Sequence, residues 1–138
     1  ITSAVKAGRD FIKPVKPQTI AKSIAIGNPA DGFYAIRTMN ETGGWGEDVS
    51  DAEVVEGIRM LAEDEGIFTE TAGGVTVSVT RRLVEQGRIK PDEVTVMAIT
   101  GNGLKTQEAV QDHLTRPETI SAKLSEFENK VMGVLAVR

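Results

Sequence analysis

Residues 94–104 (VTVMAITGNGL) constrain the fold of this chain more than any other stretch. Residues 94–99 form a short apolar run, which is typical of a strand buried on both faces of a parallel sheet. The run ends in residues 100–103 (TGNG), where two glycines and an asparagine allow a sharp turn and the close approach of a ligand. In open α/β sheets, ligands lie just outside the carboxyl ends of the strands. The stretch therefore predicts a ligand-binding loop with the Thr100 hydroxyl available.

A second interpretation of this loop is an Asn-Gly hairpin turn that binds no ligand. It would need a strand directly after Gly103, and residues 105–108 (KTQE) are not typical of a strand. Two other glycine-bearing loops carry polar side chains, at residues 23–29 (SIAIGNP) and 70–74 (ETAGG). The simpler interpretation of each loop is a helix cap or a turn that binds no ligand. In one α/β sheet, the three loops can instead line a single crevice at the strand ends.

Composition narrows the class of protein. The 138 residues fit one domain, and 40% hydrophobic with 26% charged residues is ordinary for a soluble globular protein. Without cysteine, and with His113 as the only histidine, we expect neither disulfides nor a metal site. The net charge of −4 and the absence of a basic cluster argue against nucleic acid as a partner. No apolar run approaches the ~20 residues of a membrane span, and no signal peptide is visible, so a cytoplasmic setting is expected.

The clearest local signal is a helix start at Ser50. Ser50 and Glu53 have the spacing of a capping box, and Val49 and Val54 occupy the flanking staple positions. Apolar residues then recur at helical spacing as far as Gly66, which is expected to end the helix. Weaker signals predict a helix end before Gly8, helices at residues 19–26, 31–43, 106–114 and 120–135, and short strands at residues 11–12 and 67–68. This order of elements predicts an α/β layer structure.

Residues 75–80 (VTVSVT) are ambiguous from pattern alone. Their alternation of valine with Ser or Thr is typical of a strand. Ala72, Val75, Val79 and Leu83 nevertheless fall on one helical face, and Gly87 is a suitable helix end. Propensity by itself favours the strand.

Five segments, taken in order, resemble threonine synthase. They are residues 23–29 (SIAIGNP), 41–44 (ETGG), 49–53 (VSDAE), 65–70 (EGIFTE) and 99–105 (ITGNGLK). The resemblance covers about residues 17–114. Threonine synthase uses pyridoxal phosphate on the second fold type of such enzymes, shared with tryptophan synthase β and the serine/threonine dehydratases. The matched segments correspond to the latter part of the family's large domain.

The resemblance implies a fold and an activity. It implies an open, largely parallel twisted sheet flanked by helices, with residues 1–138 as a single α/β unit and residues 115–138 as a C-terminal tail or helix. It also implies that residues 71–86 are a helix. Threonine synthase is a lyase of amino-acid biosynthesis that converts O-phosphohomoserine and water to threonine and phosphate. We therefore expect a small amino-acid substrate and, because missing strands would leave sheet edges exposed, a homo-oligomer such as a dimer.

The resemblance also implies roles for four cofactor-binding residues. Thr100 matches the threonine beside the pyridine nitrogen of the cofactor, and Gly101 follows it in the same loop. Ser23 lies in the segment that passes the cofactor ring, so its main chain is the expected contact. Glu70 matches an acidic residue near the pocket. A hydroxyl at Thr100 is too weak an acid to protonate a pyridine nitrogen, but it can donate a hydrogen bond to the neutral ring.

Some family features are absent from this sequence. The family's Schiff-base lysine, the asparagine beside the phenolic oxygen and the phosphate-binding glycine loop lie upstream of Ile1 in the family pattern. We expect the chain to require the remainder of a parent enzyme and to have no catalytic residue of its own. Residues 70–74 and Thr106 also depart from the usual pattern. Two alternatives therefore stay open: a fragment of a serine/threonine dehydratase-like enzyme, or a non-catalytic α/β binding or assembly module.

Overall fold

The computed structural model describes residues 1–115 and 119–132. Within these ranges the α-helices are α1 (Thr2–Lys6), α2 (Gly32–Thr42), α3 (Asp51–Glu65), α4 (Thr71–Glu85) and α5 (Leu124–Phe127). Single 3-10 turns lie at Lys22–Ile24, Gly103–Lys105, Gln107–Ala109 and Gln111–His113, and a π-helical turn at Glu128–Met132 continues α5. The helices α1 and α2 pack against each other, and so do α3 and α4.

Helix α3 begins and ends where its local signals predict. The Glu53 N–H donates to Ser50 Oγ at 3.4 Å, and the Glu53 carboxylate accepts the Ser50 N–H at 2.7 Å. These two bonds satisfy amides that lack partners within the helix. At the other end, Gly66 adopts the left-handed conformation with φ of 68°. The capping box and the terminating glycine are both confirmed.

Helix α4 resolves the ambiguous valine-rich stretch. Residues Thr71–Glu85 are helical, which confirms the helix implied by the family resemblance over the strand favoured by propensity. Gly73, Gly74 and Val77 are its buried face. Packing against α3 decides the outcome, because Ser78 Oγ donates to the Glu53 carbonyl at 2.7 Å and the two backbones approach closely at Gly74.

Two hydrophobic clusters hold these helices together. One surrounds α3 and reaches forward to Val110, with Val54, Val55 and Ile58 buried beside it. The other joins the first two helices through Ala4, Val5 and Ile36, with Ile12, Met39 and Trp45 packed at its edge. Val110 therefore connects the segment that follows residues 100–103 to the core of the α3–α4 pair.

Three expected helices are shorter than predicted. Residues 19–26 form only the 3-10 turn Lys22–Ile24, because the Asp51 carboxylate accepts the Ile20 N–H at 3.2 Å and the Thr19 hydroxyl at 2.5 Å. These contacts hold the backbone outside a helix. Residues 106–114 form two 3-10 turns in place of one helix. The closing helix is limited to α5 and its π-helical turn, and its expected end at Leu135 lies outside the described residues.

The expected sheet is not formed among the described residues. Their one β-type pairing is an isolated antiparallel bridge between Thr69 and Asn102. Residues 94–99 pair with no other described segment, and Val94 and Val96 are 95% and 89% exposed. The predicted short strands at residues 11–12 and 67–68 are likewise absent. Across residues 1–115 and 119–132, no helix combines the length and apolarity needed to cross a bilayer.

Candidate cofactor-binding site

The loop after residues 94–99 folds back onto the segment that precedes α4. The Gly103 N–H donates to the Phe68 carbonyl at 3.0 Å, and the Glu70 N–H donates to the Gly101 carbonyl at 3.3 Å. The same Gly101 carbonyl also accepts the Thr69 hydroxyl at 3.2 Å. Residues 68–70 and 101–103 therefore run side by side in antiparallel directions.

The two glycines of this loop are required by close packing. A Cβ on Gly101, where φ is 80°, would lie 2.0 Å from Glu70 Oε1. A Cβ on Gly103 would lie 2.5 Å from the Phe68 ring. Only glycine lets the loop approach the opposite segment this closely. The Asn-Gly hairpin is not formed, because the loop pairs with residues 68–70 and continues into the turn Gly103–Lys105.

Three of the four predicted site residues are brought together. Thr100 is exposed and directly precedes Gly101. Glu70 is only 7% exposed, and its carboxylate lies against Gly101. Glu70 lies 30 positions before Thr100 in sequence, and its contact with Gly101 brings it to the loop that carries Thr100. An exposed threonine thus directly precedes a glycine that packs against a buried carboxylate.

The fourth predicted residue, Ser23, lies in a neighbouring element. It is exposed within the 3-10 turn Lys22–Ile24, and that turn packs against α4. Among the described hydrogen bonds, none joins Ser23 to Glu70, Thr100 or Gly101. The turn continues into Gly27, whose carbonyl accepts the Val15 N–H at 3.0 Å. Ser23 therefore lies in a turn that flanks the helix starting at the site, with no described hydrogen bond to the other three residues.

Helix α4 contributes its N-terminus to the site. Glu70 is the residue that precedes the helix, and its side chain makes no capping hydrogen bond. A carboxylate at this position is favoured by the partial positive charge of a helix N-terminus. The site therefore carries one carboxyl side chain at the start of the helix, packed against Gly101.

Sequence reasoning missed two residues of this site. The Thr71 N–H donates to Thr106 Oγ1 at 3.2 Å. Thr71 is fully buried, and its own hydroxyl has no hydrogen-bond partner. Thr106 was recognisable from the sequence only as a departure from the family pattern. No local signal relates it to Thr71, because the contact depends on the folding of one segment against another.

No group of three or more His, Asp or Glu side chains in the described ranges is arranged to hold a metal ion. The donor set at the site is instead one of hydroxyls, amides and a single carboxylate. Such a set suits a neutral or weakly basic organic ligand better than a cation.

Comparison with known proteins gives consistent matches. Residues 1–101 match the family described as pyridoxal-phosphate dependent enzyme. Threonine synthase from Methanosarcina acetivorans is 35% identical over 134 residues, which is 96% of this chain and 33% of the relative. Threonine synthase from Methanocaldococcus jannaschii is 40% identical over 104 residues, covering 75% of this chain and 26% of the relative. Threonine synthase from Bacillus sp. strain ULM1 is 34% identical over 121 residues, covering 87% and 34%.

These matches confirm the resemblance to threonine synthase and the expected dependence of the family on pyridoxal phosphate. The chain spans about a third of the length, or less, of the curated relatives it matches. The α/β fold class predicted from the sequence is the fold class of this family.

Proposed function

Because this chain belongs to the family of pyridoxal-phosphate dependent enzymes, we propose that it is the C-terminal portion of the large domain of a threonine synthase. The intact enzyme converts O-phosphohomoserine and water to threonine and phosphate. The name shared by its relatives supports the reaction. The observation that carries the site is the pairing of residues 101–103 with residues 68–70, because it presents Thr100 beside Gly101 and Glu70.

In the intact enzyme, residues 94–99 are a strand of an open, largely parallel twisted sheet flanked by helices. The support is the exposure of Val94 and Val96, two β-branched residues that a sheet would bury. Residues 1–138 then form a single α/β unit, and residues 115–138 are its C-terminal tail or helix. Parallel sheets are covered on both faces, so the remainder of the enzyme supplies the neighbouring strands and helices.

The residues at the site fit the cofactor. Pyridoxal phosphate, when bound, supplies an electron sink for chemistry at the carbon atoms of an amino acid. Thr100 has an exposed hydroxyl that can donate a hydrogen bond to a neutral ring nitrogen, whereas a carboxylate there would stabilise the pyridinium form. Gly101, which has no side chain, lets the Glu70 carboxylate pack against the backbone directly after Thr100. Because the Thr100 hydroxyl leaves the ring nitrogen neutral, it moderates the electron sink.

The other two residues shape the pocket. Glu70 is buried against Gly101 and so forms part of the wall beside Thr100. Ser23 contributes its main chain from the turn beside α4. None of these side chains is a catalytic residue in our proposal. The chain orients the cofactor and excludes water, and the lysine that binds the cofactor covalently comes from the remainder of the enzyme.

The partners follow from this proposal. They are a small amino-acid substrate, the remainder of the enzyme and a second copy of it, in the cytoplasm. The chain carries no cysteine, so its fold does not depend on an oxidising compartment.

Thr100→Ala in the intact enzyme tests the assignment of Thr100. Loss of one hydrogen bond to the ring nitrogen is expected to lower turnover about tenfold and to weaken cofactor binding. Thr100→Ser keeps the hydroxyl and is expected to retain activity. Phosphate release and threonine formation from O-phosphohomoserine provide the measurement. Unchanged kinetics in Thr100→Ala would contradict the role, and conversion of threonine to a keto acid in place of threonine synthesis would favour a dehydratase.

The isolated chain provides a second test. With pyridoxal phosphate and borohydride, we expect no stoichiometric adduct at any one lysine of the 138 residues. Intact-mass measurement and peptide mapping would detect such an adduct. Its presence would show that the chain carries the cofactor-binding lysine itself.

A further inference from the structure

Thr106 supplies the cap of helix α4 from a distant part of the chain. The Thr71 N–H, the first amide of the helix, donates to Thr106 Oγ1 at 3.2 Å across a separation of 35 positions. Thr71 is fully buried, so water cannot replace this acceptor. Glu70 precedes the helix but makes no side-chain capping bond. The amide of Thr71 therefore depends on Thr106 for its hydrogen bond.

Thr106 is also tied closely to the loop that carries Thr100. Its own N–H donates to the Gly103 carbonyl at 3.0 Å, and the Lys105 N–H donates to the Asn102 carbonyl at 3.1 Å. The Asn102 side chain accepts the Leu104 N–H at 2.9 Å. Residues 102–106 are thus a compact turn that joins Thr106 to Gly101 and Thr100.

Residues 68–71 contact residues 101–106. The bond from Thr71 to Thr106 lies at one end of this contact. At the other end, the loop is held through Gly101 and Gly103, by main-chain bonds to residues 68–70 and by the Thr69 hydroxyl. Glycines carry no side chain that could resist sliding or rotation of the loop. The bond at Thr106 uses a side chain of defined rotamer and a helix amide of defined direction. Together with the main-chain bonds to residues 68–70, it fixes how the loop lies against the start of α4.

We propose that Thr106 is a positioning residue that holds the Thr100 hydroxyl at its working place by capping Thr71. This inference rests on the proposed function, because Thr100 faces the cofactor ring only in that reading. Thr106 itself touches neither cofactor nor substrate. Threonine at this position supplies an acceptor for the helix amide without adding a second carboxylate near Glu70.

The experiment compares Thr106→Val, which removes the acceptor at nearly constant shape, with Thr106→Ser, which retains it. Thr80→Val is the matched control, because the Thr80 hydroxyl bonds within α4 to the Thr76 carbonyl at 2.8 Å and does not reach the loop. All variants are made in the intact enzyme. The first readout is amide hydrogen exchange of Thr71 in the cofactor-free protein, which does not depend on activity.

We expect the Thr71 amide to be strongly protected in the unmodified enzyme. In Thr106→Val its exchange should be about tenfold faster, corresponding to the loss of one hydrogen bond, and it should be unchanged in Thr106→Ser and Thr80→Val. Exchange at Thr71 that is already as fast as at exposed amides, or that Thr106→Val leaves unaltered, would overturn the capping role. The measurement on the unmodified enzyme remains decisive even when Thr106→Val does not fold.

The second readout separates positioning from general stability. Thr106→Val should lower kcat about tenfold through misplacement of Thr100, leave KM for O-phosphohomoserine near its original value, and shift the absorbance of the bound cofactor. Thr106→Ser should restore all three. Faster exchange with unaltered kcat and absorbance would overturn the positioning role. An unmodified enzyme that makes no threonine would instead count against the proposed function, and the exchange measurement would still test the cap.

Discussion

Among single residues, Glu47 joins two segments that are distant in sequence. Its carboxylate accepts hydrogen bonds from the Lys6 ammonium of α1 at 2.6 Å and from the Trp45 indole N–H at 3.0 Å. The hydrogen bond from Lys6, followed by that from Trp45, lowers the pKa of Glu47 to about 2 from its ordinary value of 4.5. In turn, the Glu47 carboxylate raises the pKa of Lys6. This side chain therefore links the first helix to the loop that leads into α3.

The depressed pKa of Glu47 predicts a specific acid sensitivity. A group whose pKa is lower in the folded state stabilises the fold above its unfolded pKa, and that contribution is lost as the pH falls from about 4.5 toward 2. Glu47→Gln should be less stable than the original chain at neutral pH, and the difference should shrink over this window. Urea midpoints at several pH values provide the measurement. Glu41→Gln, which removes a carboxylate paired with Arg37 on the exposed surface of α2, is the control. A constant difference between Glu47→Gln and the original chain would contradict the linkage.

At the scale of elements, the contact between α3 and α4 depends on two glycines. A Cβ on Gly57 would lie 2.4 Å from Ser78 Oγ and 2.5 Å from the Gly74 carbonyl. A Cβ on Gly74 would lie 2.5 Å from the Val54 carbonyl. Each glycine costs about 1 kcal/mol of helix propensity relative to alanine. The close backbone contact, with Ser78 bonded across it, offsets that cost through packing.

Gly57→Ala is expected to destabilise the chain although alanine is the better helix former. Overpacking against fixed backbone costs about 1–3 kcal/mol, which exceeds the propensity gain of about 1 kcal/mol over most of that range. Chemical denaturation monitored by circular dichroism measures the difference. Asp64→Ala, an exposed substitution near the end of the same helix, should change stability by only about 0.5 kcal/mol or less. Greater stability in Gly57→Ala would mean that the two helices separate readily at this point.

At the scale of the whole molecule, residues 94–99 stand outside both hydrophobic clusters. The cores are built from α1 with α2 and from α3 with Val110, and neither includes Val94 or Val96. A run of β-branched residues with unpaired backbone is a template for pairing with another chain. The isolated 138-residue chain should therefore self-associate through this segment.

Val96→Lys is expected to reduce that self-association. A charge at the centre of the segment opposes strand pairing, and Val96 is already 89% exposed, so the fold of the monomer should be retained. Sedimentation velocity over a range of concentrations is the measurement. Val15→Lys, at a position 66% exposed within a proline-flanked stretch, is the matched control. A monomeric original chain at high concentration, or equal effects of the two lysines, would argue against this segment as the contact.

The site shows where prediction from sequence reaches its limit. Thr100, Gly101 and Glu70 were identifiable from motifs, and the structure brings them together. Their cofactor roles stay predictions that the variants above will test. Thr106 could not be assigned a partner, because its acceptor role exists only after residues 101–106 fold against the start of α4. The predicted helix at residues 19–26 does not form for a similar reason. The Asp51 carboxylate, more than 30 positions away in sequence, accepts the Ile20 N–H.

Features whose partners lie within one helical turn were predictable from the order of residues alone. The capping box at Ser50 and Glu53 and the end of α3 at Gly66 are of this kind, because their hydrogen bonds and dihedral angles are local. Other features depend on long-range contacts and became visible only in the folded structure. It selected a helix for Thr71–Glu85 through packing on α3, and it joined the Thr100 loop to that helix through Thr106. Local propensity is worth less than 1 kcal/mol per ordinary residue, so burial and distant hydrogen bonds override it wherever the two disagree.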